Sequence, residues 1–299
     1  MQTNTHYKHL LNELDDAIYF VDVDRQITFW NKAAERLTGF SAEEVIGSRC
    51  SDNILIHVDD QGNNLCKGMC PLADSIQTGD GHEAIVYLHH KDGHRIPVRI
   101  RTTASYNSAG EITGGIEVFR DERDPVAALG RWKSKRDLSF YDDLTGLPNE
   151  RLLNRFIEER MVDLNRYGWS FGVVWMDLDG FSWMNETLGR DTGDAVLQLV
   201  GRTLMAVTRL NDLSGRIGDD EFLAVLSDAG QSDLLMAANR FRLLIQFSIL
   251  PGDNPLSATI SAGATIAIPG ESPQDLLARA KRLSAESKAK GGNQVTEPG

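Results

Sequence analysis

Apolar positions along the chain change their spacing several times, and the changes mark out a succession of elements. In AIYFVDVDRQITFW, residues 17 to 30, two short apolar runs flank an Asp-rich turn and predict a pair of strands. NKAAERLTGF then takes helical spacing and stops at Gly39. Ser41 and Glu44 stand three apart, a capping-box signature for another short helix ending at Gly47. Between 84 and 120 come three strand-like runs, AIVYLHH, RIPVRIRTTASY and ITGGIEVF, parted by the turn sequences KDG and SAGE. The pattern predicts a first domain over residues 8–122, with two strands, small helices and a three-stranded meander.

DERDPVAALGRWKSKRDLSFYDD is polar and helix-prone, with Pro125 near its start, and reads as a connecting helix over 123–141. Val126, Leu129 and Phe140 fit a heptad seam, but Lys133 and Arg136 stand between them, so the coiled-coil pattern is weak. A second domain is expected over 142–296. Its amphipathic helix carries Leu152, Phe156 and Met161; FGVVWM is a buried strand; AVLQLVGRTLMAV is a helix. LSGRIGDDEFLAVL then reads as a hairpin with three carboxylates at its tip. A helix (DLLMAANRFRLLIQF), a strand (LSATISAGATIAI) and a last helix (PQDLLARAKRLSAESKAK) complete the block.

Composition narrows the function classes. The net charge of −12 argues against a nucleic-acid or anionic-membrane partner, both of which need basic patches. A phosphate-bearing ligand must then be held by metal ions or a few local cations. No apolar run approaches the roughly 20 residues of a membrane span, and MQTNTHYKHLLNELDD has no apolar signal core. The expectation is a cytoplasmic protein with no further catalytic segment after Asn293. Three cysteines, an odd number, argue against a disulfide framework.

Asp177 follows directly on the strand FGVVWM, and the hairpin tip supplies Asp219, Asp220 and Glu221. If the hairpin pairs beside that strand, Asp177 and Asp220 converge, whereas Asp179, two residues on, is read as facing the other side of the chain. Converging carboxylates with no cation nearby call for a hard divalent ion. The residues alone leave two readings open, a polar turn and a metal seat for phosphoryl transfer.

RIGDDEF resembles the signature of GGDEF domains, the diguanylate cyclases, with Asp219 in place of the second glycine. DDLTGLPN, MDLDGFSWMNETLGRDTGDAVL, SATISAG and KAKGGN resemble further motifs of that family in the same order. The resemblance implies an α+β fold, a mostly antiparallel central sheet flanked by helices in a nucleotide-cyclase-like palm. It also implies condensation of two GTP into cyclic di-GMP by a homodimer, with Mg²⁺ or Mn²⁺. By the same resemblance Asp177, Asp220 and the Leu178 carbonyl are metal ligands, and Glu221 helps deprotonate the attacking hydroxyl. Asn185 and Asp194 read guanine, whose N–H donors suit an amide carbonyl and a carboxylate. Phe181 packs under the site, Gly218 belongs to the nucleotide turn and Lys288 binds phosphate. RLND, with five residues separating it from Gly218, matches the RxxD inhibitory product site, so Arg209 and Asp212 are expected to bind cyclic di-GMP.

Five positions depart from the family pattern. Asp219 replaces glycine, Ser182 a lysine, Gly292 and Glu150 arginines, and Ala285 a tyrosine. Asp219 is expected to tolerate a left-handed backbone, so that the turn survives. Lost charge-assisted contacts, worth roughly 1.5–3 kcal/mol each, weaken a triphosphate site. The alternative function is therefore a degenerate domain that binds GTP or cyclic di-GMP without turnover.

The front block, AIYFVDVDRQITFWNKAAERLTGFSAEEVIG through EVFRDERD, resembles a PAS domain, which implies an antiparallel sheet with small helices, dimerisation and a sensor role. Its ligand is unknown. Cys50, Cys66 and Cys70, with His57 between, are candidate sensor residues. Three thiols and an imidazole can make a zinc or iron–sulfur site. Cys66 and Cys70 can make a redox pair, and all three can equally be structural thiols.

Overall fold

A computed structural model describes residues 2–52, 54–123, 138–252 and 254–299, and the chain divides into two units, 1–123 and 124–299. Most of the expected connecting helix, with Val126, Leu129, Lys133 and Arg136, lies outside the described residues. Phe140 belongs to a single 3₁₀ turn, Leu138–Phe140, where the Arg151 guanidinium stands 4.8 Å over its ring.

In the first unit β1 (Ala17–Asp22), β2 (Ile27–Trp30), β3 (His82–His89), β4 (Arg95–Tyr106) and β5 (Ile112–Asp121) form one sheet of order β2-β1-β5-β4-β3. Every pairing in it is antiparallel. The β1–β2 turn is tied by Asp22, whose carboxylate accepts from the Asp24 and Gln26 N–H groups. The helices are α1 (Gln2–Asn12), α2 (Lys32–Thr38), α3 (Ala42–Val45) and α4 (Pro71–Thr78). Gly39, at φ 79°, ends α2 as its sequence predicts. The Glu44 carboxylate accepts the Ser41 N–H at 2.8 Å at the start of α3. α1 and α4 have no counterpart in the pattern reading; Pro71 at the first turn and Gly79 at φ 84° are the sequence marks of α4.

Asn31 ties the unit together. It is fully buried. Its amide oxygen accepts from the Ile18 and Ala34 N–H groups, and its amide nitrogen donates to the Leu11 and Asp16 carbonyls. One side chain thus caps α2, pins β1 and anchors the end of α1, with every polar atom satisfied.

The core of this unit packs Tyr19, Trp30 and Phe119 around one another and also holds ionisable groups. Glu117 on β5 and His57 are fully buried, with Glu117 Oε1 and His57 Nε2 3.5 Å apart and neither hydrogen-bonded. Tyr19 donates to the Glu117 carboxyl. Burial pushes Glu117 up to about 8 and His57 down to about 4, so at neutral pH the pair is a carboxylic acid beside a neutral imidazole, not an ion pair.

In the second unit α5 (Glu150–Tyr167), β6 (Phe171–Leu178), α6 (Phe181–Leu188), α7 (Arg190–Val207), β7 (Leu213–Arg216), β8 (Glu221–Ser227), α8 (Gln231–Gln246), β9 (Ile260–Ile266), α9 (Pro273–Ala289) and β10 (Val295–Thr296) follow in order. The sheet order is β10-β9-β6-β8-β7. Only the short β10–β9 pair is parallel, and FGVVWM is the central strand. The helix expected from residue 195 begins at Arg190, and a separate α6 precedes it; Gly189, at φ 88°, is the break.

Stability of the first unit is expected to fall with rising pH. Glu117 keeps its proton in the fold and loses it in the unfolded chain between about pH 4.5 and 8. His57 acts oppositely between about 4 and 6.5, so the net fall lies above pH 6.5. Calorimetry on the whole chain is expected to show the first unit's melting temperature dropping several degrees between about pH 6.5 and 8.5. In Glu117→Gln that drop is expected to disappear.

Candidate active site at the end of the second sheet

The antiparallel register of β6 and β8 sets Asp177 directly opposite Glu221, and the Leu178 N–H donates to the Asp220 carbonyl at 3.1 Å. Three carboxylates therefore gather at one end of the sheet, as the hairpin pattern predicts. Burial pushes the Asp177 carboxyl above the ordinary aspartate range; Lys288 opposes this, and Asp220 and Glu221 add to it. Two lysines stand against these carboxylates. The Lys288 ammonium contacts the Asp177 carboxylate. Lys281 reaches Glu221 at 2.8 Å and lies 4.9 Å from the centre of the Trp175 ring. The Trp175 indole N–H also donates to Glu221, at 3.1 Å. Lys281 and Lys288 are seven residues apart on α9, two turns along one face.

The tip of the hairpin is shaped by Arg216. Its guanidinium donates to the Gly218 carbonyl at 3.1 Å and the Asp219 carbonyl at 2.7 Å, and its Nη1 donates to both oxygens of the Asp142 carboxylate at 3.2 Å. Asp142 also accepts from the Thr145 N–H and hydroxyl. The opening DDLTG motif is thus a buttress for the acidic turn. Asp219 is exposed and does not adopt the left-handed backbone that its replacement of glycine suggests. A Cβ at Gly218 would stand 2.9 Å from the Glu221 carboxylate and 3.2 Å from the Glu221 Cβ.

Asn185 on α6 and Asp194 on α7 are brought to one place by Gly193. A methyl at that position would lie 1.9 Å from Asn185 Oδ1 and 3.4 Å from the Phe181 ring. Asn185 therefore abuts the turn that carries Asp194, with Phe181 buried beneath. Asp194 and Ser182 are exposed. Asp179 leaves the acidic group and is structural, accepting from Thr259, Ser261 and the Asn293 N–H. Gly292 belongs to a left-handed run, Gly291, Gly292 and Asn293 at φ 113°, 75° and 47°, so its glycine has a backbone reason. Glu150 lies in the first turn of α5 and Ala285 on the exposed face of α9.

Arg209 is exposed, while Asp212 is half-buried and accepts the Ser227 N–H at 3.0 Å. Burial raises the Asp212 carboxyl, with Arg209 and Arg240 opposing. Both residues line a groove of about 200 Å³ whose walls include Tyr141, Leu147, Phe156 and Met205.

In the first unit Cys50 and Cys70 are buried and Cys66 half-buried; Cys66 Sγ accepts the His57 N–H at 3.3 Å. Burial pushes Cys50 up to about 12 and Cys66 to about 11, which makes them inert thiols rather than ready thiolates. Among the described residues, the three thiols and His57 do not gather as a metal-ligand group.

A family description of a diguanylate cyclase GGDEF domain matches residues 139–294. The chain belongs to the GGDEF family. A PAS fold matches residues 5–121, so the GGDEF domain follows a PAS domain. The chain is 27% identical over 237 residues to the probable diguanylate cyclase DgcE of Escherichia coli, covering 77% of this chain and 20% of that protein. It is 32% identical over 163 residues to the response regulator PleD of Caulobacter vibrioides, covering 53% and 36%. The chain thus spans far less than two thirds of either relative. Among solved structures, diguanylate cyclase SiaD of Pseudomonas aeruginosa, in complex with its activator SiaC, matches with TM-score 0.53 and 31% identity, over 54% of this chain and 63% of that one. The GGDEF domain of DgcB from Caulobacter crescentus, in complex with c-di-GMP, matches with TM-score 0.52 and 25% identity, over 55% and 97%. No helix among the described residues is long and apolar enough to cross a membrane.

Sequence reasoning about the GGDEF domain missed Arg216, Asp142, Trp175 and Lys281. The seven-residue spacing of Lys281 and Lys288 on an amphipathic helix was the available signal for one of them. Arg216→Ala is expected to cost the domain about 1.5–3 kcal/mol, the range for hydrogen bonds to charged groups, read from urea unfolding by tryptophan fluorescence. Arg216→Lys is expected to recover only part, because a single ammonium cannot serve the Gly218 carbonyl, the Asp219 carbonyl and Asp142 as three guanidinium nitrogens do.

Proposed function

We propose that the protein is a PAS-regulated diguanylate cyclase that condenses two GTP into cyclic di-GMP as a homodimer. The observation that carries this reading is the register placing Asp177 opposite Glu221, with Asp220 adjacent, at one end of the sheet. The site also fits a divalent ion. Burial, with Asp220 and Glu221 adding to it, raises the proton affinity of Asp177, and Asp177 already holds a cation in Lys288. Asp177, Asp220 and the Leu178 carbonyl would hold Mg²⁺ or Mn²⁺, which when bound neutralises phosphate charge and polarises the α-phosphate.

The remaining roles fall to the chain itself. Asn185 and Asp194 meet the guanine edge. Lys288, which contacts Asp177, would be the cation available to the phosphates. Glu221, fixed by Trp175 and Lys281, takes the proton of the 3′-hydroxyl. The 3′-oxygen bonds to the α-phosphorus of the facing GTP, the α–β bridging bond breaks, and pyrophosphate leaves. Two such events close the ring, so each protomer must present one GTP to its partner. The PAS domain sets how two GGDEF domains face each other. Arg209 and Asp212, at the mouth of an apolar groove, bind the product as feedback.

Purified protein incubated with GTP and Mg²⁺ is expected to give cyclic di-GMP by chromatography, with a rate rising faster than linearly in protein concentration. Asp177→Asn and Glu221→Gln are each expected to lower the rate about 100-fold or more. A second reading, nucleotide binding without turnover, draws on the exposed Asp219 and on the missing cations at Ser182 and Gly292. GTP binding with no cyclic product at high protein concentration would establish it and end the enzyme reading.

Feedback carries its own expectation. Arg209→Ala is expected to leave initial turnover unchanged and to raise the inhibitory product concentration roughly 10-fold or more, the loss of one charge-assisted contact.

A further inference from the structure

The turn between β3 and β4 of the PAS domain carries HHKDGH, residues 89 to 94, which none of the nucleotide chemistry uses. His90, Asp92 and His94 each offer a ligand atom there, and the three atoms lie within 4.8 Å of one another. His90 Nδ1 is 3.6 Å from Asp92 Oδ2. Two donors on a tetrahedral ion at ordinary Zn–N and Zn–O lengths stand about 3.3 Å apart, so this pair is close to coordinating distance. The His90 and His94 rings lie 4.4 Å apart at 34°.

The turn is held in place from several sides. The His90 N–H donates to the His94 carbonyl at 2.9 Å, and the Gly93 N–H to the His90 carbonyl at 2.7 Å, with Gly93 at φ 92°. The Lys91 N–H donates to the Thr38 carbonyl at 2.9 Å, at the end of α2. His90 lies so close to that end that a methyl at Gly39 would stand 2.9 Å from its ring. The Lys91 ammonium is drawn away onto Glu44, and the Arg95 guanidinium points inward to the Ile56 and Tyr87 carbonyls. The two cations flanking the cluster are thus engaged elsewhere. Asp92 is exposed and gives an approaching ion a route in.

We propose that the β3–β4 turn binds one divalent transition-metal ion through the imidazoles of His90 and His94 and the carboxylate of Asp92. Two nitrogens and one oxygen suit Zn²⁺, Ni²⁺ or Cu²⁺, not Mg²⁺ or Ca²⁺, which take oxygen ligands. Binding exchanges one local bond, since His90 Nδ1 now accepts the Asp92 N–H at 3.0 Å. Three protein ligands leave a coordination position for water or an incoming group. The inference stands apart from the nucleotide reading, because its ligands all lie in the PAS domain.

The test uses the full chain, stripped of metal with a chelator and titrated with Ni²⁺ or Zn²⁺ in a calorimeter, with metal analysis after desalting. Four proteins are compared: wild type, the surface-turn variant His90→Gln with Asp92→Asn, a Cys50→Ser, Cys66→Ser, Cys70→Ser variant, and Asp177→Asn. His94, being buried, is left intact so that folding is preserved, and a thermal melt of each protein checks this. The expected result is one equivalent in wild type, in the cysteine variant and in Asp177→Asn, with at least a 10-fold loss of affinity in the turn variant. Co²⁺ is expected to give visible bands without the strong thiolate charge-transfer absorption. No binding in wild type, an equivalent retained unchanged in the turn variant, or an equivalent lost only in the cysteine variant or in Asp177→Asn would each overturn the proposal.

Discussion

The pairing of β6 with β8 is the constraint on which the second domain depends. Register in a sheet is a discrete choice, and a slip of one residue would turn every side chain to the opposite face. The register is locked by a run of buried positions, Val173 to Met176 on β6 against Phe222 to Val225 on β8. Their burial fixes what happens at the end of the ladder, where Asp177 and Glu221 come face to face. The acidic cluster is thus imposed by apolar packing a few residues away, and its mutual repulsion is tolerated because the core beneath it cannot shift.

That repulsion has to be balanced, and α9 does so. Lys281 and Lys288 come from one helix face to Glu221 and Asp177, while Trp175 adds an indole donor from the neighbouring position on the same strand face. Arg216 plays the corresponding part at the turn, giving its donors to backbone carbonyls and to Asp142 rather than to Asp177, Asp220 or Glu221. The cations at the site thus divide by role. One fixes the backbone and two neutralise side chains.

Much of this was legible in the sequence because it follows from period and turn chemistry. The hairpin, the central strand, the meander and the Gly39 stop are local signals. So is the acidic tip. What escaped are features that depend on three-dimensional approach. Trp175 reads as one more apolar residue in FGVVWM until its indole is seen to reach Glu221 across the ladder. Asp142 reads as a turn residue until Arg216 arrives from 74 positions away. Asp179 does not face away from Asp177 as the sequence reading had it: residues two apart on a strand share a face, and its carboxylate accepts from Ser261, the residue paired with Asp177. Its role in tying β9 to the turn before β10 needs partners far along the chain. The PAS core was the least legible. Glu117 sits in the strand ITGGIEVF where alternation marks an exposed position as readily as a buried one, and its partner His57 lies in a stretch with no clear period.

The two domains treat buried charge in opposite ways. In the PAS core Glu117 and His57 are desolvated without a compensating ion, so each gives up its charge and the pair stays neutral. At the GGDEF site Asp177 is only half-buried, and Lys288 against it opposes the effect of burial on its carboxyl. This bears on the departures at Ser182 and Gly292. A site whose carboxylates are already paired with two lysines has cations in hand. On the proposed function, a divalent ion taking Asp177 would not merely add positive charge. It would also leave the Lys288 ammonium available to the phosphates of the proposed substrate. On the same reading, the shortage of basic residues that the sequence suggests would be partly offset by Lys281 and Lys288, which pair with Glu221 and Asp177.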